Sequence, residues 1–307
     1  MEPFPLPPCE PGGQDLREVA AAVDAWAASP AMGELVGEFG GAAGQSLAEL
    51  AGFCAVWDYR GGVKERFDTE RIDFEPERDR RVRDLLHALG MGGRPAPAHR
   101  AYDHVLVLGG GIRVTLGRTD YTARLLAAGL TTRTLTGLAS LRWRDDREFR
   151  EGARLGLGPV DTEADMMAEA FKRFLGIGEP AAVHEHHRSW AGGIHVLAAP
   201  STRPGLRANT ADTLTGWAEI VERPRPGDRV LLVTNAPYVR HQHCDAIRLL
   251  GTRYGCGIET VGFDDAAMTE WGRPLSTTEL LQEVRSSILA MSNLRRHAQD
   301  SAATTSR

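Results

Sequence analysis

The sequence predicts an α/β protein whose doubly wound, mostly parallel sheet has helices on both faces. Short apolar stretches have the length of buried strands, and helical stretches with periodic apolar residues separate them. Strands separated by helices pair in parallel, so their carboxyl ends should meet at one edge of the sheet. The expected strands span residues 105–108, 133–138, 194–199, 230–234 and 258–263.

Helices are expected between these strands, and residue types at their first turns mark where two of them begin. Asp161 or Thr162 should cap a helix that has acidic residues in its first turn. Ser276 and Glu279 form a capping box before the final helix. The expected helices span residues 119–128, 161–175, 210–221, 241–254 and 276–290.

A helical region should precede the sheet. Apolar residues recur at three- and four-residue intervals in residues 15–28 and 77–89, and another helical stretch is expected at 45–56. The Gly- and Pro-rich segment that follows predicts a linker. The predicted organisation is a helical region with its linker, residues 1–100, an α/β domain, residues 101–297, and a disordered tail, residues 298–307.

The composition is that of an ordinary globular protein, with 42% hydrophobic and 25% charged residues in a chain of 307. A formal net charge of −5 argues against broad binding of nucleic acid, which requires a basic surface. Only Lys64 and Lys172 are lysines, against 34 arginines. A coding bias is the simpler explanation, and binding of carboxylates or phosphates by some arginines is the alternative.

The cysteines and the chain's N-terminal sequence predict a cytoplasmic protein. Four cysteines are scattered without the spacing of a zinc site, which is typical of reduced thiols. The first residues have neither the basic nor the apolar segment of a signal peptide, and no apolar run is long enough to cross a bilayer. We expect no membrane partner, and oligomerisation is left open.

Three consecutive glycines, Gly109 to Gly111, follow the first expected strand. A dinucleotide fingerprint needs a further glycine where the chain has Val114, and no acidic residue ends the second strand. The Gly-Lys-Ser/Thr of a phosphate-binding P-loop is also absent. Residues without side chains at the carboxyl end of a strand nevertheless let a ligand approach the backbone.

Polar residues follow four expected strands and should converge at the same edge of the sheet. Glu163 is the leading candidate for a general base, although an acidic residue there also complements the helix dipole. Asn209 has a sufficient structural explanation as a helix cap. The residues expected to surround the reacting group are Glu163, Tyr238, Arg240 and His241. Those expected to bind the ligand are Gly109, Gly110, Gly111, Arg113, Arg118, Thr136, Gly137, Asn209, Thr210, Thr234 and Asn235.

The order of these motifs resembles that of the ElyC/SanA/YdcF-like proteins over roughly residues 104–263. The resemblance implies a Rossmann-like fold and a nucleotide-type ligand, with S-adenosylmethionine suggested for one branch of the family. The chain departs from the family where Tyr238 stands at the position of a histidine and Arg240 is displaced. The matching pieces are Leu108-Gly109-Gly110-Gly111, Arg118 to Gly129, Leu135-Thr136-Gly137, Thr162-Glu163-Ala164, Asn209-Thr210 and Val233-Thr234-Asn235.

Two further segments carry chemically interesting side chains. The sequence HEHHRSW at residues 184–190 lacks the HExxH spacing of a zinc site, so we expect a solvated loop and no metal. The sequence WDYRGGVKER at residues 57–66 combines aromatic and cationic side chains. It is expected either to cover the site as a lid or to pack the helical region against the sheet.

These observations predict an enzyme that carries out group transfer or hydrolysis on a small molecule. It would use a nucleotide-type ligand such as S-adenosylmethionine or an adenine nucleotide. One alternative is a nucleotide-binding regulatory module without catalysis. Another is an aminoacyl-tRNA-dependent transferase, which would require a local patch of arginine residues.

Overall fold

A seven-stranded sheet organises the computed structural model, which describes residues 3–61, 70–94, 96–158, 160–263, 270–271 and 274–305. The strand order is β3-β4-β5-β2-β1-β6-β7. Strands β5, β2, β1, β6 and β7 are parallel, while β3 and β4 are antiparallel at one edge. The strands are β1 (Ala101–Leu108), β2 (Thr131–Ser140), β3 (Ala182–Val183), β4 (His187–Trp190), β5 (Ile194–Ala199), β6 (Arg229–Asn235) and β7 (Gly257–Phe263).

Within the described residues, four α-helices form the N-terminal helical region and seven accompany the sheet. The first four are α1 (Leu16–Ala27), α2 (Pro30–Glu38), α3 (Leu47–Phe53) and α4 (Pro76–Ala88). The others are α5 (Ile112–Ala127), α6 (Asp146–Arg154), α7 (Glu163–Leu175), α8 (Thr210–Gly216), α9 (Val239–Ala246), α10 (Thr252–Tyr254) and α11 (Thr277–Thr305). None of these helices has both the length and the apolar character required to cross a bilayer.

Alternate residues of each strand point into two cores, one on each face of the sheet. Val107 and Val233 pack beneath α5 and α7. Leu106 and Leu232 face the other core, where α8 and α9 cover the sheet. Helix α11 packs against α9, and α1, α3 and α4 of the N-terminal region pack against α11. The predicted α/β class, with helices on both faces and an N-terminal helical region, is therefore confirmed.

Several element boundaries differ from the expected ones. Helix α5 begins at Ile112, and β2 continues to Ser140, two residues beyond its expected end. The segment expected as a solvated loop contains β4, which pairs with β5. Helix α11 extends to Thr305, so residues 298–305 are helical rather than disordered. The later turns of α11 pack against the body of the protein, since Leu294 is fully buried and Ala298 is 4% exposed. This packing explains why the helix continues beyond its expected end.

The N-terminal segment that contains Phe4 and Pro5 is held in place by Arg240 of α9. Its guanidinium donates hydrogen bonds to the carbonyl oxygens of Pro5 (3.1 Å) and Phe4 (2.6 Å) and lies 5.4 Å from the centre of the Trp26 ring. Burial lowers the pKa of Arg240 to about 10. Gly90, at φ 82°, leaves room for this guanidinium, since a Cβ there would collide with it. Arg240 therefore holds the fold together away from the carboxyl edge of the sheet.

Replacing this guanidinium should destabilise the protein. In Arg240→Met the carbonyl oxygens of Phe4 and Pro5 lose the buried guanidinium that donates to them, which we expect to cost about 2–4 kcal/mol in the free energy of unfolding, measured by urea denaturation. Arg253→Met is the control, because Arg253 is exposed and pairs with Glu219 at 3.4 Å on the surface. Equal unfolding midpoints for the two variants would show that Arg240 does not anchor the N-terminal segment.

Candidate functional site

The three glycines at the end of β1, Gly109 to Gly111, form the glycine turn. This turn lies at the carboxyl edge of the sheet, where ligands bind in doubly wound folds. Gly111 is the N-cap of α5, and no side chain caps that helix. The Gly109 N–H donates to the carbonyl oxygen of Leu138 at 2.7 Å. A Cβ at position 109 would collide with Oε1 of Glu163. A Cβ there would also lie 2.5 Å from the carbonyl oxygen of Leu138, so position 109 requires glycine because a backbone carbonyl as well as the Glu163 carboxyl group lies against it.

Glu163 is the first residue of α7 and is 7% exposed. Thr162 caps the helix in a capping box with Asp165. The Glu163 N–H donates to the carbonyl oxygen of Arg142 at 3.0 Å, which joins α7 to the segment after β2. The Ser140 hydroxyl donates to Glu163 Oε2 at 2.5 Å, and Arg142 Nε lies 3.8 Å from the same oxygen. The carboxyl group is thus held between β1, β2 and α7.

Burial raises the pKa of Glu163 above its ordinary value of 4.5. The hydrogen bond from Ser140 and the charges of Arg142 and Arg207 act in the opposite direction, but burial is the larger effect. The carboxyl group therefore retains its proton to a higher pH than an exposed glutamate does. A carboxyl group whose pKa is raised in this way is a candidate for a general acid or base.

Arg142 connects Glu163 to α6. Its guanidinium forms a two-pronged ion pair with Glu148, with distances of 2.6 and 2.8 Å. Glu148 is buried, and its N–H donates to Asp145, the N-cap of α6. This pair fixes the segment after β2 against α6 and orients the Arg142 side chain beside Glu163.

Arg118 fills the crevice between β1 and β6, the point at which the strand order reverses. It is 2% exposed, and its Nε and Nη2 donate to Asn235 Oδ1 at 3.1 and 2.7 Å. Its Nη1 donates to the carbonyl oxygens of Leu108 (2.8 Å) and Gly109 (2.5 Å). Arg118 and Asn235 therefore position the glycine turn, rather than offering a free cation to a ligand.

Tyr238 and His241 lie on the β6 side of Arg118. The Tyr238 ring centre is 5.6 Å from the Arg118 guanidinium carbon and 5.7 Å from the His241 ring. His241 Nδ1 is 3.7 Å from Glu283 Oε2, and Glu283 accepts a hydrogen bond from Arg60 at 2.6 Å. These contacts connect the carboxyl edge to the segment 57–61. The remainder of that predicted lid, residues 62–66, lies outside the described part of the chain.

Three of the residues expected to bind the ligand lie within secondary structure instead of at a strand end. Thr136 and Gly137 are inside β2, where Gly137 gives space to Met167. Thr234 is fully buried near the end of β6. Because β2 is longer than expected, Ser140 rather than Thr136 is the polar residue at its end.

Other predicted site residues have structural partners. Arg113 pairs with Glu151 of α6. Asn209 is the N-cap of α8, in a capping box with Asp212, and Thr210 is the first residue of that helix. Arg240 contacts the N-terminal segment, as described above. The structure thus gathers Glu163, the glycine turn, Arg118, Asn235 and Tyr238 at one edge, and leaves these other side chains outside the group.

The histidines of β4 and β5 pair with each other across the edge of the sheet. His187 Nε2 lies 2.9 Å from His195 Nδ1, and the His184 ring stacks on His187. Within the part of the chain that the structure describes, no group of three or more potential ligands is arranged to hold a metal ion.

Comparison with known proteins identifies relatives along most of the chain. The family model for the Rv3785 N-terminal domain matches residues 10–90. The uncharacterized proteins Rv3785 of Mycobacterium tuberculosis and Mb3814 of Mycobacterium bovis are each 31% identical over 329 residues, covering 91% of this chain and 90% of the relative. No solved structure matches the chain.

The buried carboxyl group should make stability depend on pH. Because the native state holds the Glu163 proton more tightly than the unfolded chain, stability should fall as the pH rises from 4.5 through the raised pKa. Glu163→Gln cannot ionise, so its melting temperature should exceed that of the wild type by about 2–4 °C at pH 7.5 and match it near pH 4.

Glu169→Gln is the matched control for this measurement. Glu169 is on the same helix, is partly exposed and pairs with Lys172 at 3.1 Å. It should show no such pH-dependent gain. A melting temperature of Glu163→Gln that lies below the wild-type value at pH 7.5 and above it at pH 4 would contradict the direction of the pKa shift.

Proposed function

The chain belongs to the family of the mycobacterial protein Rv3785, and we propose that it is an enzyme acting on a small molecule by group transfer or hydrolysis. In this proposal Glu163 is the general acid or base. The observation that carries it is a buried carboxyl group with a raised pKa, placed against the partly exposed backbone of the glycine turn. Perturbed carboxyl groups at the carboxyl edge of such a sheet are typical of catalytic sites.

The two oxygens of Glu163 have different surroundings, which assigns them different roles in this proposal. Oε2 accepts the hydrogen bond from Ser140 and lies near Arg142, so its interactions are made within the protein. Oε1 lies beside Gly109. A proton on Oε1 can be transferred to the oxygen of a leaving group bound over the glycine turn, and the resulting carboxylate is stabilised by Ser140 and Arg142.

The ligand we propose is of the nucleotide type. The uncapped N-terminus of α5 directs backbone N–H groups and a partial positive charge towards the glycine turn, which favours a phosphate. The resemblance to the ElyC/SanA/YdcF-like proteins supports S-adenosylmethionine or an adenine nucleotide. Tyr238 and His241, on the other side of Arg118, are proposed to contact the part of the substrate that receives or loses the group.

We also propose that the protein acts in the cytoplasm on a small-molecule partner. All four cysteines are buried and unpaired, which suits a reducing compartment. Their side chains take no part in the proposed chemistry, because burial raises the pKa of each thiol.

The proposal is tested by separating binding from turnover. Calorimetric titration with S-adenosylmethionine and with ATP identifies the ligand, and mass spectrometry of the incubated mixture detects its conversion. Glu163→Gln should bind the ligand with wild-type affinity and lose at least about 100-fold in turnover, since it retains shape but cannot transfer a proton. Glu169→Gln should retain both properties.

Two other results would contradict catalysis by Glu163. Tight ligand binding without conversion by the wild-type protein would indicate a regulatory module. Salt-sensitive binding of aminoacyl-tRNA, with transfer of the aminoacyl group by Glu163→Gln at the wild-type rate, would indicate a transferase that does not use this carboxyl group.

A further inference from the structure

A second arginine near the candidate site is buried without a charged partner. Arg144 is 7% exposed, and its Nε and Nη1 atoms make no hydrogen bond within the described chain. Its backbone N–H donates to the carbonyl oxygen of Asp161 at 3.0 Å, which fixes the segment beside the start of α7. A buried guanidinium without partners is costly, so its retention calls for a chemical explanation.

The nearby acidic residues do not neutralise Arg144. Glu148 attracts it, but that carboxylate is already bound on both oxygens by Arg142. Asp161 and Asp165 also attract it, and Asp165 is bound by Arg188. Among the residues that the structure describes, no carboxylate oxygen lies within 4.0 Å of the Arg144 guanidinium.

The unpartnered guanidinium lies beside the first turn of α5. A Cβ built on Gly152 of α6 would be 2.9 Å from Arg144 Nη1 and 3.0 Å from Cδ1 of Ile112, the first residue of α5. Arg113, next in α5, pairs with Glu151, the neighbour of Gly152. The first turn of α5 contains no acidic residue and no side-chain cap. A cation and an uncapped helix N-terminus therefore border one region beside the glycine turn.

We propose that Arg144 and the N-terminus of α5 together bind a phosphate group of the ligand. This inference rests on the proposed function and deepens it by naming phosphate esters as the ligand class. Guanidinium N–H groups and helix N-terminal N–H groups are both strong donors to phosphate oxygens, and the fork of the guanidinium can bind two oxygens at once. The phosphate would supply the direct acceptors that Nε and Nη1 of Arg144 lack in the described chain.

Stacking on Phe149 accounts for only part of the environment of Arg144. The guanidinium carbon lies 4.0 Å from the centre of that ring, which is close enough for a cation–π interaction. Such stacking uses the face of the guanidinium and leaves the N–H groups at its edge without acceptors. The edge is where a phosphate binds, so both contacts can exist together.

The test measures binding of inorganic phosphate by calorimetry and by thermal shift, with chloride at equal ionic strength as the reference. Wild-type protein should bind phosphate, and Arg144→Met should lose at least about tenfold in affinity. Arg144→Lys, which keeps the charge but not the fork, should lose affinity to a smaller extent. Arg150→Met is the control, because Arg150 is exposed on α6, the helix that follows Arg144, and it should bind as wild type does.

Melting temperatures measured without phosphate show whether Arg144→Met is folded, and they test the same inference. Because Arg144→Met removes an unpaired buried charge, it should melt at or above the wild-type temperature in phosphate-free buffer of low salt. Added phosphate should raise the melting temperature of the wild type and leave that of Arg144→Met unchanged. Gly152→Ala, whose new methyl group would displace the guanidinium, should also weaken phosphate binding.

Two outcomes would overturn the inference. One is equal phosphate affinity in wild type and Arg144→Met, and the other is no phosphate binding by the wild type. Glu163→Gln separates these results from the proposed function, because it should still bind phosphate. Wild-type turnover in Glu163→Gln would reject the acid–base role while leaving the phosphate site intact.

Discussion

The contact between the Glu163 carboxyl group and the backbone at Gly109 is the constraint on which the candidate site depends. It brings the first residue of α7 against the end of β1, and only glycine leaves the necessary space. Ser140 at the end of β2 holds the other carboxyl oxygen, so one buried group joins three elements. Burial in this position also raises the pKa, which means that the packing of the site and its chemistry have the same cause.

The large number of arginines does not by itself indicate that any of them binds a ligand. Arg118 binds the ends of two strands, Arg240 holds the N-terminal segment, and Arg142 pairs with Glu148. Each of these side chains finds acceptors within the protein. Arg144 differs because it is 7% exposed and yet its Nε and Nη1 atoms have no acceptor in the described chain. What distinguishes a candidate binding residue is the absence of internal partners, which a sequence does not display.

The sheet and most of its helices are predictable from the sequence because hydrophobic periodicity and capping residues are local signals. Asn209 and the Ser276–Glu279 pair cap helices as their residue types predict. Because strands and helices alternate along the sequence, the strands are expected to be parallel and their carboxyl ends to meet at one edge. Glu163 and the glycine turn could therefore be placed at that edge from the sequence alone.

Other features depend on tertiary contacts that no local pattern encodes. Strand β2 continues to Ser140 because Ser140 pairs with Ala199 of β5. The sequence pattern does not show this pairing, so it favours Thr136 as the polar residue at the end of the strand. The directions of Arg240 and Arg118 depend on which acceptors come near after folding. The signal that could have identified Ser140 is its position as the first polar residue after the apolar run 137–139.

The central claim is that the protein buries Glu163 in a setting that favours its protonated form. Carbon-13 NMR titration of labelled glutamate carboxyl groups, with the Glu163 signal assigned by its loss in Glu163→Gln, measures this directly. We expect a Glu163 pKa above 4.5, raised further in Ser140→Ala because that variant removes the hydrogen bond to the carboxylate. A pKa at or below 4.5 in the folded wild-type protein would contradict it.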